Sequence, residues 1–236
     1  MKNYLDNREK PARSGLFGGI IKKNNREVFM HIVIEGQDAT GKDTQAKLLA
    51  EYLRGKGLNV VHYSESGTGS EDEFIREIAK LNYGSKQDID HRTRVMLYLI
   101  NRYEQWRKLA EPALRAGDVV ITTRSWFSTL IYEGYAAGVS RNFIKKLHKT
   151  VMPEHYFHPD KQVIMVLSDE ARAKRLETQA KEQGRTGEVW KSQPDDFQHK
   201  INAGYLKVAK EYDVPTLDAA GTIEEVFEGL KKLFEL

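Results

Sequence analysis

The chain has 236 residues, 40% of them hydrophobic, and 37 Lys and Arg against 34 Asp and Glu give a formal net charge of +3. That length and apolar content let it bury one sizeable core, and the lack of cysteine excludes disulfides and thiolate metal sites while suiting a reducing cytoplasm. The charge is uneven: residues 1–28 hold seven Lys or Arg against three acids, so the remaining body sits near −1 and offers no global nucleic-acid footprint.

Residues 1–28, with Pro11, Gly15, Gly18, Gly19 and Asn24-Asn25, read as a flexible basic extension, either a solvated tail or a partner-binding arm. Its apolar run, Leu16 to Ile21, is too short and glycine-rich for a signal sequence or a membrane span. Residues 29–236 are expected to form a single domain. An apolar strand over His31–Ile34 runs directly into Gly36-Gln37-Asp38-Ala39-Thr40-Gly41-Lys42, a phosphate-binding loop. Its glycines let successive N–H groups and a helix N-terminus point at phosphate oxygens, and Lys42 adds a cation that can follow charge during transfer. Ala46, Leu48, Leu49, Tyr52 and Leu53 then recur at helical spacing until Gly55 and Gly57. One letter departs from the motif. The Ser or Thr that normally follows the lysine and binds magnesium is Asp43 here, with Thr44 one residue late. Either the metal site is lost or a carboxylate replaces a hydroxyl, which magnesium accepts as another hard oxygen.

Further strands are expected over 59–63, 118–122, 162–167 and 214–217, alternating with helical patterns over 71–82, 90–116, 126–137, 141–150, 168–182, 195–211 and 222–235. This alternation predicts a five-stranded parallel sheet covered by helices on both faces, a three-layer α/β/α architecture of the phosphate-loop NTPase type. Ligands of such sheets bind beyond the carboxyl ends of the strands. Those ends carry the phosphate loop, Ser64-Glu65-Ser66-Gly67-Thr68, Thr123-Arg124-Ser125 and Asp218-Ala219-Ala220-Gly221. The final helix places Ile223, Val226, Phe227, Leu230, Leu233 and Phe234 on one stripe that reads as core. The seven histidines, including His62, His148, His155 and His158, form no metal or catalytic spacing.

From Met30 onward the order of landmarks resembles the thymidylate kinases, a family of nucleoside monophosphate kinases. It is carried by Ile34-Glu35-Gly36-Gln37-Asp38 with Gly41-Lys42-Asp43-Thr44-Gln45, by Leu97-Tyr98-Leu99-Ile100-Asn101-Arg102-Tyr103-Glu104-Gln105, and by Thr123-Arg124 with Ser128-Thr129-Leu130-Ile131-Tyr132-Glu133-Gly134. Gly204-Tyr205-Leu206 and Asp218-Ala219-Ala220 complete it. The resemblance implies transfer of the ATP γ-phosphoryl group to dTMP or another deoxynucleoside monophosphate, with Mg2+ as cofactor, in a cytoplasmic homodimer. It implies that Gly36, Ala39, Thr40, Gly41, Lys42, Asp43 and Thr44 cradle ATP, and that Arg175 and Ala219 flank its adenine. Arg102 would hydrogen-bond the thymine edge while Tyr98, one helical turn earlier, stacks on the base. Asp38 would take the sugar 3′-hydroxyl, Tyr132 would crowd the 2′ position, and Glu65 belongs to the acceptor loop. Arg124 would contact the transferring phosphoryl group. Judged alone, Tyr98 in its apolar helix is more often a core residue, and Arg102, Arg124 and Arg175 would be surface charges.

Some members of this family carry a basic residue inside the phosphate loop and others in a lid. With Ala39 in the loop, a lid over about 181–192 is expected to supply it, through Arg185 first and Lys181 or Lys191 second. Besides Asp43 where the family has Ser, two departures stand out: Thr123 where the family has Asp, and Ser64 and Ser66 flanking Glu65 where the family offers an arginine beside that position for the acceptor phosphate. A reciprocal exchange, carboxylate to the loop and hydroxyl to the strand end, would leave Asp43 and Thr123 holding the metal directly or through water. Two alternatives stay open. The phosphate loop and Arg124-Ser125-Trp126-Phe127 also resemble polyphosphate-dependent nucleotide kinases, and a catalytically weak nucleotide-binding regulator would keep the loop without turnover.

Overall fold

A computed structural model describes residues 30–83, 88–182 and 195–236. The expected extension, Arg185, Lys191 and most of the 181–192 segment lie outside the described residues. Five strands, β1 (Met30–Gly36), β2 (Val60–Ser64), β3 (Val119–Thr123), β4 (Lys161–Val166) and β5 (Thr216–Asp218), form one parallel sheet in the order β2-β3-β1-β4-β5. β1 is central, so the chain winds first to one side of it and then to the other. The crevice where the winding reverses lies at its carboxyl end, where the phosphate loop begins.

Period-2 alternation sends adjacent residues to opposite cores. Ile32, Ile34, Val119, Ile121, Val163 and Met165 pack under α1 (Lys42–Gly55) and the C-terminal helix Ile223–Phe234. Val120 and Ile164 face the other layer, with Trp106, Phe127, Leu130 and Tyr205. That layer is built from α2 (Glu73–Tyr83), α3 (His91–Gln105), the short α4 (Glu111–Arg115) and α5 (Trp126–Thr129), α6 (Arg141–Val151) and α8 (Asp195–Glu211). α7 (Asp169–Glu182) follows β4, and the C-terminal helix is α9.

The expected elements are present, with differences inside two helices. The continuous helix expected over 90–116 widens to π geometry at Trp106–Ala110 before continuing as α4. Pro112 explains the shift, because it has no N–H to give to the preceding turn and its ring crowds the carbonyl four residues back. The helix beginning at Trp126 similarly becomes a π-helix at Leu130–Ala136. On α9, Val226, Leu230 and Phe234 are buried as expected, whereas Ile223 is 53% exposed. It stands at the first helical position, next to a capping box in which Thr222 and Glu225 satisfy each other's N–H groups at 3.2 and 2.8 Å.

Candidate active site

The phosphate loop leaves β1 through Gly36, where a Cβ would stand 2.8 Å from the Met165 carbonyl oxygen. Ala39 (φ 68°) and Gly41 (φ 82°) then adopt left-handed backbone, which curls the loop over the start of α1. Thr40 is buried and its hydroxyl donates to the Gln37 carbonyl at 2.8 Å. Asp43 and Thr44 sit exposed in the first turn of α1. Lys42 is buried, with Nζ 3.7 Å from Asp38 and 3.6 Å from Asp43. Burial and the neighbouring Arg124 lower its pKa, while the two carboxylates oppose that shift.

Arg124 follows β3 in left-handed backbone (φ 69°), with its N–H donating to the Ile34 carbonyl at 3.1 Å. Its guanidinium pairs with Asp38, donates to Ser128 Oγ at 3.3 Å and lies 5.5 Å from the Tyr132 ring centroid. Arg124, first of all, holds the Asp38 carboxyl below the usual range, and burial pushes the Tyr132 phenol up to about 12. The strained turn is held from beneath by Glu35. This buried carboxylate accepts from Ser125 N at 2.6 Å, Ser125 Oγ at 2.8 Å and Ser128 Oγ at 2.9 Å. Asp43 and Thr123, 80 positions apart, meet directly: the Thr123 hydroxyl donates to Asp43 Oδ1 at 2.6 Å.

Beside the loop a cleft open to solvent is lined by Asp38, Glu65, Tyr98, Arg102 and Arg124 together with Ser128, Thr129 and Tyr132. Tyr98 is half-buried in its wall rather than sealed in the core. Arg102 is 3% exposed, so it is no surface charge, and four of its five N–H groups are committed. Nε donates to Glu65 at 2.5 Å, Nη1 to Thr129 Oγ1 at 3.2 Å and to His148 Nε2 at 2.9 Å, and Nη2 to the Ser125 carbonyl at 2.8 Å. Among the described residues one Nη2 hydrogen remains for a ligand. Burial lowers the His148 pKa to about 3, so the ring is neutral; Nδ1–H donates to the Ile144 carbonyl at 2.9 Å and Nε2 accepts from Arg102. Burial likewise pushes the Glu65 carboxyl up to about 7 against the pull of Arg102, and the Tyr156 hydroxyl donates to it at 3.1 Å.

The loop after β2 is strapped to α3. Asn101 Nδ2 donates to the Ser66 carbonyl at 3.0 Å and Gln105 Nε2 to the Glu65 carbonyl at 3.3 Å. A Cβ at Gly67 (φ 73°) would overlap Asn101. In place of an arginine, the loop presents hydroxyls, Ser64 Oγ 3.0 Å from Ser66 Oγ and the latter 3.2 Å from Thr68 Oγ1. On the far side of the phosphate loop, Arg175 Nη2 donates to the carbonyls of Ala219 at 2.5 Å and Gly221 at 3.1 Å, which joins α7 to the end of β5. Lys181 is paired with Glu177 at 2.8 Å. The loop, Asp38, Arg124, Tyr98, Arg102 and Tyr132 thus come together on one side, and Arg175 and Ala219 on the other. Glu35, Thr129 and His148 are supporting residues that sequence reasoning missed. Glu35 alone carried a signal, an acid buried in an otherwise apolar strand.

A family model described as thymidylate kinase matches residues 34–230. The chain is 33% identical over 205 residues to the thymidylate kinase of Caldicellulosiruptor saccharolyticus, covering 86% of this chain and 95% of that one. It is 35% identical over 185 residues to the thymidylate kinase of Anaplasma phagocytophilum, covering 77% and 78%. The solved thymidylate kinase of Ehrlichia chaffeensis superposes with a TM-score of 0.66 over 88% of this chain and 99% of that one; at 24% identity this likeness shows the shared fold.

Proposed function

The chain belongs to the thymidylate kinase family, and we infer that it is an ATP-dependent phosphotransferase converting dTMP to dTDP. The observation that carries this reading is a cleft in which Asp38, Tyr98, Arg102, Arg124 and Tyr132 converge beside the phosphate loop. Arg102 offers its remaining N–H to a carbonyl oxygen on the thymine edge, and the half-buried Tyr98 ring, one turn earlier on α3, offers a stacking face. The resemblance to polyphosphate-dependent kinases covers only the phosphate loop and Arg124-Ser125-Trp126-Phe127 and does not extend to this α3 wall.

Transfer forms a bond from an oxygen of the acceptor phosphate to the γ-phosphorus as the bond to the leaving ADP oxygen breaks. Such a loose, in-line transition state needs positive charge and alignment more than covalent help. Lys42 and Arg124 supply the charge. In the resting site Arg124 is paired with Asp38; incoming phosphates draw the guanidinium away, which frees Asp38 to accept from the sugar 3′-hydroxyl. Tyr132, packed against Arg124, closes the 2′ side of the sugar. The hydroxyls of Ser64 and Ser66 can hydrogen-bond the acceptor phosphate but bring no charge, so its charge falls to Arg124. Arg185 is assigned to the lid and Arg175 with Ala219 to the adenine site.

Asp43 and Thr123 fit magnesium: two hard oxygens, hydrogen-bonded to one another, stand at the loop beside Lys42, with the Asp43 side chain 65% exposed. Held there, magnesium would supply positive charge against the charge that develops on the donor phosphates. Met96, Ile100 and Tyr103 form an exposed stripe on α3, next to exposed Phe74 and Leu81 on α2, which suits a homodimer built on these helices. The absence of cysteine suits the cytoplasm, and nucleic acid is not an expected partner. Diphosphate formation from dTMP with ATP and magnesium, run beside dUMP, dCMP, dGMP and dAMP and with polyphosphate as alternative donor, tests the reading. Preferred turnover of dTMP with ATP is the expected result, and turnover only with polyphosphate would overturn it.

A further inference from the structure

α7 lays two arginines across the phosphate loop at helical i, i+3 spacing, and they are used differently. Arg175 spends its guanidinium on the carbonyls of Ala39, Ala219 and Gly221. Arg172 is anchored only at its root, where Nε donates to the Asp38 carbonyl at 3.2 Å. Among the described residues its two Nη groups have no hydrogen-bond partner, and the residue is half-buried beside Asp38, which lines the cleft. Two other cations at the loop are ion-paired, Arg124 with Asp38, and Lys42 with both Asp38 and Asp43. Arg172 makes its hydrogen bond to the Asp38 carbonyl rather than to a carboxylate, although its charge is near enough to help hold the Asp38 carboxyl down, and it stands beside a loop position, Ala39, that carries no charge of its own.

A guanidinium fixed through Nε with its Nη fork open is built for bidentate capture of phosphate oxygens. We propose that Arg172 is a phosphate-binding residue of the donor site, closing on the terminal phosphate of ATP from the α7 side. This rests on the kinase reading. It assigns from the described structure a cation over the loop that does not depend on the lid. Anchored at the backbone of Asp38, the residue whose carboxylate holds Arg124, it stands at the junction of donor and acceptor, where charge moves during transfer.

Calorimetric binding of a non-hydrolysable ATP analogue, ADP and dTMP to the unaltered chain and to Arg172→Ala and Arg172→Lys tests it, with dTMP turnover measured in parallel. A charge-assisted, bidentate contact predicts that Arg172→Ala loses about 10- to 100-fold in affinity for the triphosphate analogue. ADP and dTMP affinities should change less than about 2-fold, and Arg172→Lys, with the charge but not the fork, should fall between. An equal loss for ADP and the analogue, a loss confined to dTMP, or no loss would overturn the assignment. Failure of the unaltered chain to phosphorylate dTMP while Arg172→Ala still discriminates against the triphosphate would sink the acceptor reading and leave the donor assignment standing. Failure of the unaltered chain to bind the analogue would overturn both.

Discussion

The two ends of the cleft are built on opposite principles. At the base end, Arg102 is buried, held by Glu65, Thr129, His148 and the Ser125 carbonyl, and left with one N–H to offer. At the phosphate end, Arg124, Asp38 and Asp43 are partly exposed, Arg124 paired with Asp38 and Lys42 lying between Asp38 and Asp43, on left-handed backbone at Ala39 and Arg124. A base is recognised by direction, so its donor is fixed before the ligand arrives. Phosphates are recognised by charge, so their partners are paired with protein groups that can be exchanged. Buried order at one end and exchangeable charge at the other is what selective binding followed by transfer requires.

The largest effect is expected at the phosphate end. Lys42→Ala should lower kcat about 10³-fold, measured by coupled diphosphate formation, with little change in thermal stability. An effect on stability as large as that on rate would break the contrast, because it would make Lys42 part of the frame. At the base end the prediction reverses, with stability lost together with function. Arg102→Met leaves the Glu65 carboxylate buried without its cation and should cost about 3–5 kcal/mol in urea unfolding. The cost depends on pH. In the folded chain the Glu65 carboxyl is raised from 4.5 to about 7, so its stabilising contribution is complete below 4.5 and is lost as pH rises through 7. Removing Arg102 raises it further, and the deficit of the variant should widen from pH 5 to pH 8. A deficit independent of pH would contradict the buried-pair account.

A smaller effect sharpens the same contrast. His148 touches Arg102 but lines no part of the cleft, so it acts as a positioning residue. His148→Ala should raise KM for dTMP about 5- to 10-fold and leave kcat and KM for ATP nearly unchanged. His148→Gln, which restores an acceptor, should recover part of the loss. Equal changes in both KM values would indicate general loosening instead.

These two ends also differ in how far the sequence discloses them. The phosphate loop is contiguous, and its backbone function is spelled by Gly36, Gly41 and Lys42 within a few residues. The parallel sheet was legible for the same reason, since each strand and helix carries its own period. The frame around Arg102 was not. Glu65, Ser125 with Thr129, and His148 come from three segments between 23 and 46 positions away, and nothing local marks His148 as an acceptor rather than a surface histidine. Arg172 escaped notice because a helix rich in Lys and Arg looks uniformly solvated until its register over the loop is known. The π-helical stretches were hidden too, since a helix that widens by one residue keeps its apolar spacing on either side.

Asp43 and Thr123 stand between these cases. Each looked like a departure from its motif, and the structure puts them 2.6 Å apart at the place where the phosphate end is expected to hold its metal. The most direct measurement is therefore magnesium-dependent phosphorylation of dTMP by Asp43→Ser, Thr123→Asp and the double exchange. If the pair is a working rearrangement of one metal site, each single variant loses about 10- to 100-fold and the double variant returns to within a few-fold of the unaltered chain. Full magnesium-dependent turnover in Asp43→Ser alone, or a double variant no better than the weaker single one, would contradict it.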